Sequence, residues 1–288
     1  MLVVSKSSLL LGIIATSALL LGVLIGRPLT DVRQGQRVPV VTITPGSFKY
    51  RLAGEFDRDG LPVNAPLTRV RIGSPFKIMR TQVSAADYQR CVVARACPAL
   101  GAAEPGGADI PATGVSWHDA TAFAAWMSKM TGQRWRLPSD VEWALAAGSR
   151  FKDDAVRGDD AQDFAQRWIA KYEQDAAEAK PTTKAAQPFG FFGVNERGVA
   201  DLAGNVWEWT NTCFERRRVD AAGRIVGQPS VNCGVKVIEG QHRSYMTDFI
   251  RDARAGGCSV GIPPANLGFR LIRDDPNFID QMLFWMGF

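Results

Sequence analysis

The chain has 288 residues, of which 46% are hydrophobic, 22% charged and 9% aromatic, a balance that excludes a disordered, collagenous or low-complexity protein. Its 34 Lys and Arg against 29 Asp and Glu leave a net charge of +5 with no basic run longer than Arg216-Arg217-Arg218, so there is no concentrated stripe for nucleic acid. With only two histidines, His118 and His242, a three-His metal site is excluded, and no Walker A or dinucleotide glycine pattern supports nucleotide chemistry.

From Ser7 to Gly26 the chain is uncharged and rich in Leu, Ile, Val and Ala. At about 1.5 Å per residue such a helix crosses a bilayer core. Cleavage after Thr16-Ser17-Ala18 would cut this run in half, so residues 1–26 are expected to stay as a transmembrane signal anchor, followed by a polar tether over 27–39. Strands are expected at Val40–Thr44, Phe48–Leu52, Val70–Ile72 and Phe76–Met79, with a Pro45-Gly46 turn between the first two.

Three helices carry start signals in which a serine precedes an acid by three residues: Ser84 and Asp87, Ser116 and Asp119, Ser139 and Glu142. In the second, Ala120, Phe123, Ala124 and Met127 share one face; the third stops at Gly148. The charged, Ala-rich stretch between Asp153 and Lys184 places Phe164, Trp168, Ile169 and Tyr172 at helical spacing and reads as an amphipathic surface helix, a candidate inserted lid. Beyond it come short Gly, Asn and aromatic pieces with little regular structure to expect. The tail over 276–288 is apolar all round and needs burial in a core, a partner or a membrane surface.

Five cysteines have no C-x-x-C spacing. Two readings stand side by side. Cys91 with Cys97 and Cys213 with Cys233 form local disulfides and leave Cys258 over, or all five are buried thiols of a reducing compartment. Arg27, Arg33 and Arg37 after the apolar span argue against export; the disulfide reading argues for it.

Three segments occur in order: Gly114-Val115-Ser116-Trp117-His118-Asp119-Ala120 leading to Arg136-Leu137-Pro138-Ser139-Asp140-Val141-Glu142-Trp143; Asn195 through Asp201-Leu202-Ala203-Gly204-Asn205-Val206-Trp207-Glu208-Trp209-Thr210; and Asn266-Leu267-Gly268-Phe269-Arg270, preceded by Arg251 and Arg254. Together they resemble the formylglycine-generating enzyme family, also called the sulfatase-modifying-factor family, which includes EgtB-type C-terminal domains and PvdO-type pyoverdine maturation proteins. The resemblance implies an irregular α+β fold related to C-type lectins, low in regular secondary structure, over residues 40–275.

Formylglycine generators of this family resemble copper oxidases with a cysteine pair near the C-terminal end, and two thiolates suit Cu(I). The matching stretch, Gly240 to Arg251, has no cysteine and carries Met246 and Thr247 instead. No copper is therefore expected, and no formylglycine formation. An EgtB-type iron site needs a His-rich domain that two histidines do not supply. The resemblance implies a structural calcium held by the side chains of Asp201 and Glu208 and the carbonyls of Gly204 and Val206; the alternative is that Glu208 caps a turn or pairs with an arginine.

His242, Arg243, Tyr245, Asp248 and Arg251 fall where the family builds the floor of its substrate groove. Expected roles are anion binding by Arg243 and Arg251 and proton transfer by His242, Tyr245 and Asp248. The competing role for Arg251, Arg254 and Arg270 is to satisfy buried carbonyls, and His118, beside a helix start, is expected to be structural. The apolar span and the disulfide reading together lead to the expectation of a single-pass protein at the periplasmic face of a bacterial inner membrane. It is expected to act as an oxidative maturation factor for an exported peptide, or else as a non-catalytic accessory subunit of a membrane or periplasmic complex.

Overall fold

The computed structural model describes residues 38–100, 107–156, 164–178, 185–251 and 267–274. The expected anchor, nearly all of the tether, Arg254, Cys258 and the apolar tail lie outside the described residues. In chain order the strands are β1 (Val40–Ile43), β2 (Gly46–Arg51), β3 (Glu55–Arg58), β4 (Leu61–Val63), β5 (Leu67–Ile72), β6 (Phe76–Met79), β7 (Arg134–Arg136), β8 (Trp207–Val219), β9 (Ile225–Glu239), β10 (Ser244–Thr247), β11 (Leu267–Gly268) and β12 (Ile272–Asp274). The helices are α1 (Ala85–Val93), α2 (Trp117–Thr131), α3 (Asp140–Ala147) and α4 (Phe164–Glu178). Among the described residues no helix is long and apolar enough to cross a membrane.

One sheet runs β1-β6-β12-β7. A second runs β10-β9-β8-β3-β4, with β11 parallel to β8, and β2 pairs with β5. The α+β class and the four expected strands are found. The expectation of little regular structure after residue 184 is corrected: β8 and β9, of 13 and 15 residues, are the longest strands described and form one hairpin. Their alternation is interrupted by register shifts between Trp209 and Phe214 and between Arg216 and Arg218, which hides the period of two from the sequence. The turn is built by Asp220, whose Oδ1 accepts from the backbone N–H groups of Ala222 and Arg224, while Gly223 takes the left-handed conformation at φ 74°.

The helix starts follow the serine signals. Ser116 and Ser139 accept from the amides of Asp119 and Glu142, and those acids accept in return from the serine amides; at Ser84 only the first half forms. Buried Ala120, Phe123, Ala124 and Met127 carry α2 into a core with Tyr88, Trp209 and Phe269, where the Phe123 and Phe269 rings meet edge-on at 5.4 Å. A second cluster gathers Ile78, Trp143, Leu202 and Ile272. The helix predicted in the charged stretch is α4, but Ile169 and Tyr172, two of its expected apolar face, are exposed. Cys91–Cys97 and Cys213–Cys233 are disulfides, with Cα separations of 5.3 and 4.5 Å, so the thiol reading is set aside for these four.

Candidate functional site

The motif residues Glu208 and Arg270 meet in the interior, where both are fully buried. Arg270 Nε donates to Glu208 Oε2 at 2.6 Å and Nη2 to Oε1 at 2.7 Å. Gln82 Nε2 and Trp143 Nε1 also donate to this carboxylate, at 2.7 and 2.8 Å. The rest of the guanidinium is used by the carbonyls of Met79, Arg80 and Ala200. Asp201 is equally committed: its two oxygens accept from the Gly190 and Phe192 amides at 2.6 and 2.9 Å.

This donor set does not fit calcium. A cation at Asp201, Gly204, Val206 and Glu208 would have to displace a bidentate guanidinium and two backbone donors, and its charge would lie beside that of Arg270. The arginine-pairing alternative for Glu208 is the arrangement found. Among the described residues no group of three or more His, Cys, Asp or Glu is placed to hold a metal.

The five residues expected on the groove floor separate into different surroundings. Arg243 is buried against the Tyr50 and Phe151 rings, 4.8 and 5.4 Å from their centroids, and pairs with Glu239 at 3.1 Å and Asp154 at 3.3 Å. Tyr245 donates to Asp154 and accepts from the Gly54 amide. Burial, reinforced by the Asp154 charge, pushes its phenol well up, so it holds its proton. His242 Nδ1 lies 2.9 Å from the Arg243 carbonyl, and its ring packs edge-on against Trp207. Arg243 and Tyr245 thus share Asp154 inside the fold and present no exposed anion grip.

Asp248 and Arg251 instead come to the start of α2. The Asp248 carbonyl accepts from the Trp117 amide at 2.9 Å, and its carboxylate lies 3.3 Å from His118 Nε2. Arg251 grips Asp119 with both Nε and Nη2 at 2.7 Å. Burial alone would raise the Asp119 carboxyl, but the Arg251 and Ser116 donors outweigh it and hold the group below its ordinary range. Lys236 stands 4.3 Å over the Trp117 ring with Nζ 3.4 Å from Cys213 Sγ. Desolvation pulls its ammonium below the usual lysine range, opposed by the charge of Asp248.

The start of α2, the β8–β9 hairpin and the segment after β10 therefore converge on one surface. It carries the His118–Asp248 pair, the Arg251–Asp119 pair and exposed Phe249, and the buried Lys236 stacks on Trp117 next to it. The His118 side chain is 59% exposed against 20% for Asp248, so a residue expected to be structural is the more accessible member of this pair. The sequence signal for this is a histidine two residues after a helix cap.

The sulfatase-modifying factor enzyme 1-like domain family matches residues 28–275. A formylglycine-generating enzyme of Streptomyces coelicolor is 30% identical over 174 residues, covering 57% of this chain and 52% of that protein. An inactive C-alpha-formylglycine-generating enzyme 2 of Bos taurus is 33% identical over 110 residues, covering 37% of this chain and 34% of that protein. The chain thus spans about half the length of the first and a third of the second. PvdO from Pseudomonas aeruginosa has a similar fold, with a TM-score of 0.52 at 24% identity over 82% of this chain and 94% of that one. Matched in the order of its motifs and over most of its length, the chain belongs to the formylglycine-generating-enzyme-like, or sulfatase-modifying-factor, family.

Proposed function

We propose that this protein is an exported, membrane-anchored member of its family that binds a polypeptide on the surface around His118, Asp248 and Phe249 and does not generate formylglycine. The observation that carries the binding role is the commitment of the polar side chains: Arg243, Tyr245 and Arg251 are each taken up by acids of the same chain. Freeing any of them for a ligand would leave a buried or half-buried charge without its counter-ion. Exposed Phe249 beside the polar His118–Asp248 pair suits an extended segment that offers an apolar side chain and a hydrogen-bonding backbone. Two disulfides support an oxidising compartment, in agreement with the apolar stretch over residues 7–26 as an anchor. The partner is then a subunit of a membrane or periplasmic complex, with the tail over 276–288 as a second contact.

The maturation reading, in which an exported peptide is processed on this face, is favoured by one observation, the exposed His118 beside Asp248. Substituting Phe249→Glu and His118→Phe separately divides the two. For a binding module, Phe249→Glu abolishes co-purification of the partner while His118→Phe leaves it intact and product formation in cells unchanged. Loss of the mature peptide with His118→Phe, partner binding retained, would replace the binding role with the maturation one. Retention of the partner by both variants would show that the partner does not bind this surface.

A further inference from the structure

We propose that Cys213–Cys233 is a thiol–disulfide exchange site. A thiolate of an external dithiol attacks Cys233 Sγ, and Cys213 leaves as a thiolate held by the Lys236 ammonium. Cys233 is exposed and Cys213 half-buried, so the approach is through Cys233. Cys213 faces Lys236 across the β8–β9 ladder, and the polar contact of Nζ among the described residues is the Cys213 sulfur, at 3.4 Å. That lysine is 5% exposed, and the nearby Asp248 carboxylate is engaged by His118. Among the described residues this buried ammonium, set against an uncharged sulfur, has no carboxylate at ion-pair distance; a thiolate there provides a counter-charge. Thiolates next to a cation form more readily, and a better-stabilised leaving thiolate departs faster.

Cys91–Cys97 serves as an internal comparison. Its sulfurs belong to residues that are 0% and 7% exposed, packed in the apolar core beside Tyr88 and Phe123. No incoming thiolate reaches them without opening that core.

The incoming thiolate forms a bond to Cys233 Sγ as the Cys213–Cys233 bond breaks, and the electron pair of that bond goes to Cys213 Sγ. The second thiol of the reagent, after losing its proton, attacks its own sulfur in the mixed disulfide and releases Cys233 as a thiolate. The dithiol is oxidised by two electrons to a disulfide, and the pair is reduced by two. The partner class is therefore a small-molecule or protein dithiol.

The test is timed reduction of the intact folded protein with dithiothreitol, trapping with iodoacetamide, and peptide mapping. Cys213–Cys233 is expected to open well before Cys91–Cys97. Lys236→Met should slow its opening by about tenfold, while Lys236→Arg, which keeps the cation, should stay close to the parent. In the reduced protein, the pH midpoint for Cys213 alkylation should lie below the ordinary thiol value of about 8.5 and rise in Lys236→Met. Equal opening rates for the two disulfides overturn the proposal, as does a Lys236→Met variant with unchanged rate and midpoint. Should Lys236→Met fail to fold, a parent midpoint at or above the ordinary value overturns it alone.

Discussion

At the scale of single residues, the β8–β9 ladder places two buried carboxylates opposite each other, Glu208 and Glu239, each with its own arginine. They are not equivalent. Glu208 has both oxygens occupied by donors, whereas Glu239 has Arg243 on Oε1 and no partner on Oε2 among the described residues. Burial pushes the Glu239 carboxyl up to about 8; Arg243 opposes this and Asp140 adds to it. Between the ordinary glutamate range and that value, the folded chain holds a proton that the unfolded chain releases. Stability therefore falls as pH rises across this window and levels off above it. Replacing Glu239 by Gln removes the proton from the linkage. In urea unfolding at pH 5, 7 and 9, the parent is expected to lose stability relative to Glu239→Gln on the order of 1 kcal/mol per pH unit between pH 5 and 8. A constant difference across that range would show that Glu239 is ionised in the fold.

At the scale of elements, the helices are fixed by local chemistry and the long hairpin is not. Ser116 and Asp119 satisfy each other's amides within three residues, so the start of α2 is readable from four letters. Ser116→Ala is expected to cost about 1 kcal/mol in thermal or urea unfolding. Asp119→Ala should cost more, because it also strips Arg251 of its bidentate partner. Ser84→Ala should fall at the lower end, since only one half of that box forms. The strands β8 and β9 could not be read this way. Their solvent-facing half carries Glu215, Arg216, Arg217 and Arg218, and their bulges shift the pattern just where alternation would announce a strand. The site was legible in the same uneven manner. Asp248 and Arg251 were identified by family position and lie on the candidate surface. Arg243 and Tyr245 point inward, because Asp154, which both of them contact, lies 89 and 91 residues away in the chain and leaves no local signal. Long-range pairs such as His118 with Asp248 have no local signature at all.

At the scale of the whole molecule, the Glu208–Arg270 pair joins the two apolar clusters. Glu208 lies between Trp207 and Trp209 of one, and Trp143 of the other donates to it. Arg270 is flanked by core residues Phe269 and Leu271 and reaches the carbonyls of Met79, Arg80 and Ala200. Removing one partner leaves a buried charge uncompensated, so Arg270→Ala is expected to destabilise the fold by about 3–5 kcal/mol in urea unfolding. Arg270→Lys should recover little, because one ammonium cannot reproduce the two parallel bonds and three carbonyl contacts. A loss below about 1 kcal/mol would mean that the pair is not a shared support of the two clusters.

The sheet order β1-β6-β12-β7 has a consequence in time. The strand between β6 and β7 is β12, Ile272–Asp274, so β6 and β7 have no neighbour to bridge them until that late stretch arrives. A ribosome or a secretion pore delivers a chain N-terminus first, and almost the whole domain must emerge before this layer can close. Assembly is thus deferred to the end of synthesis or transit. Until then the nascent polypeptide exposes the open edges of β6 and β7.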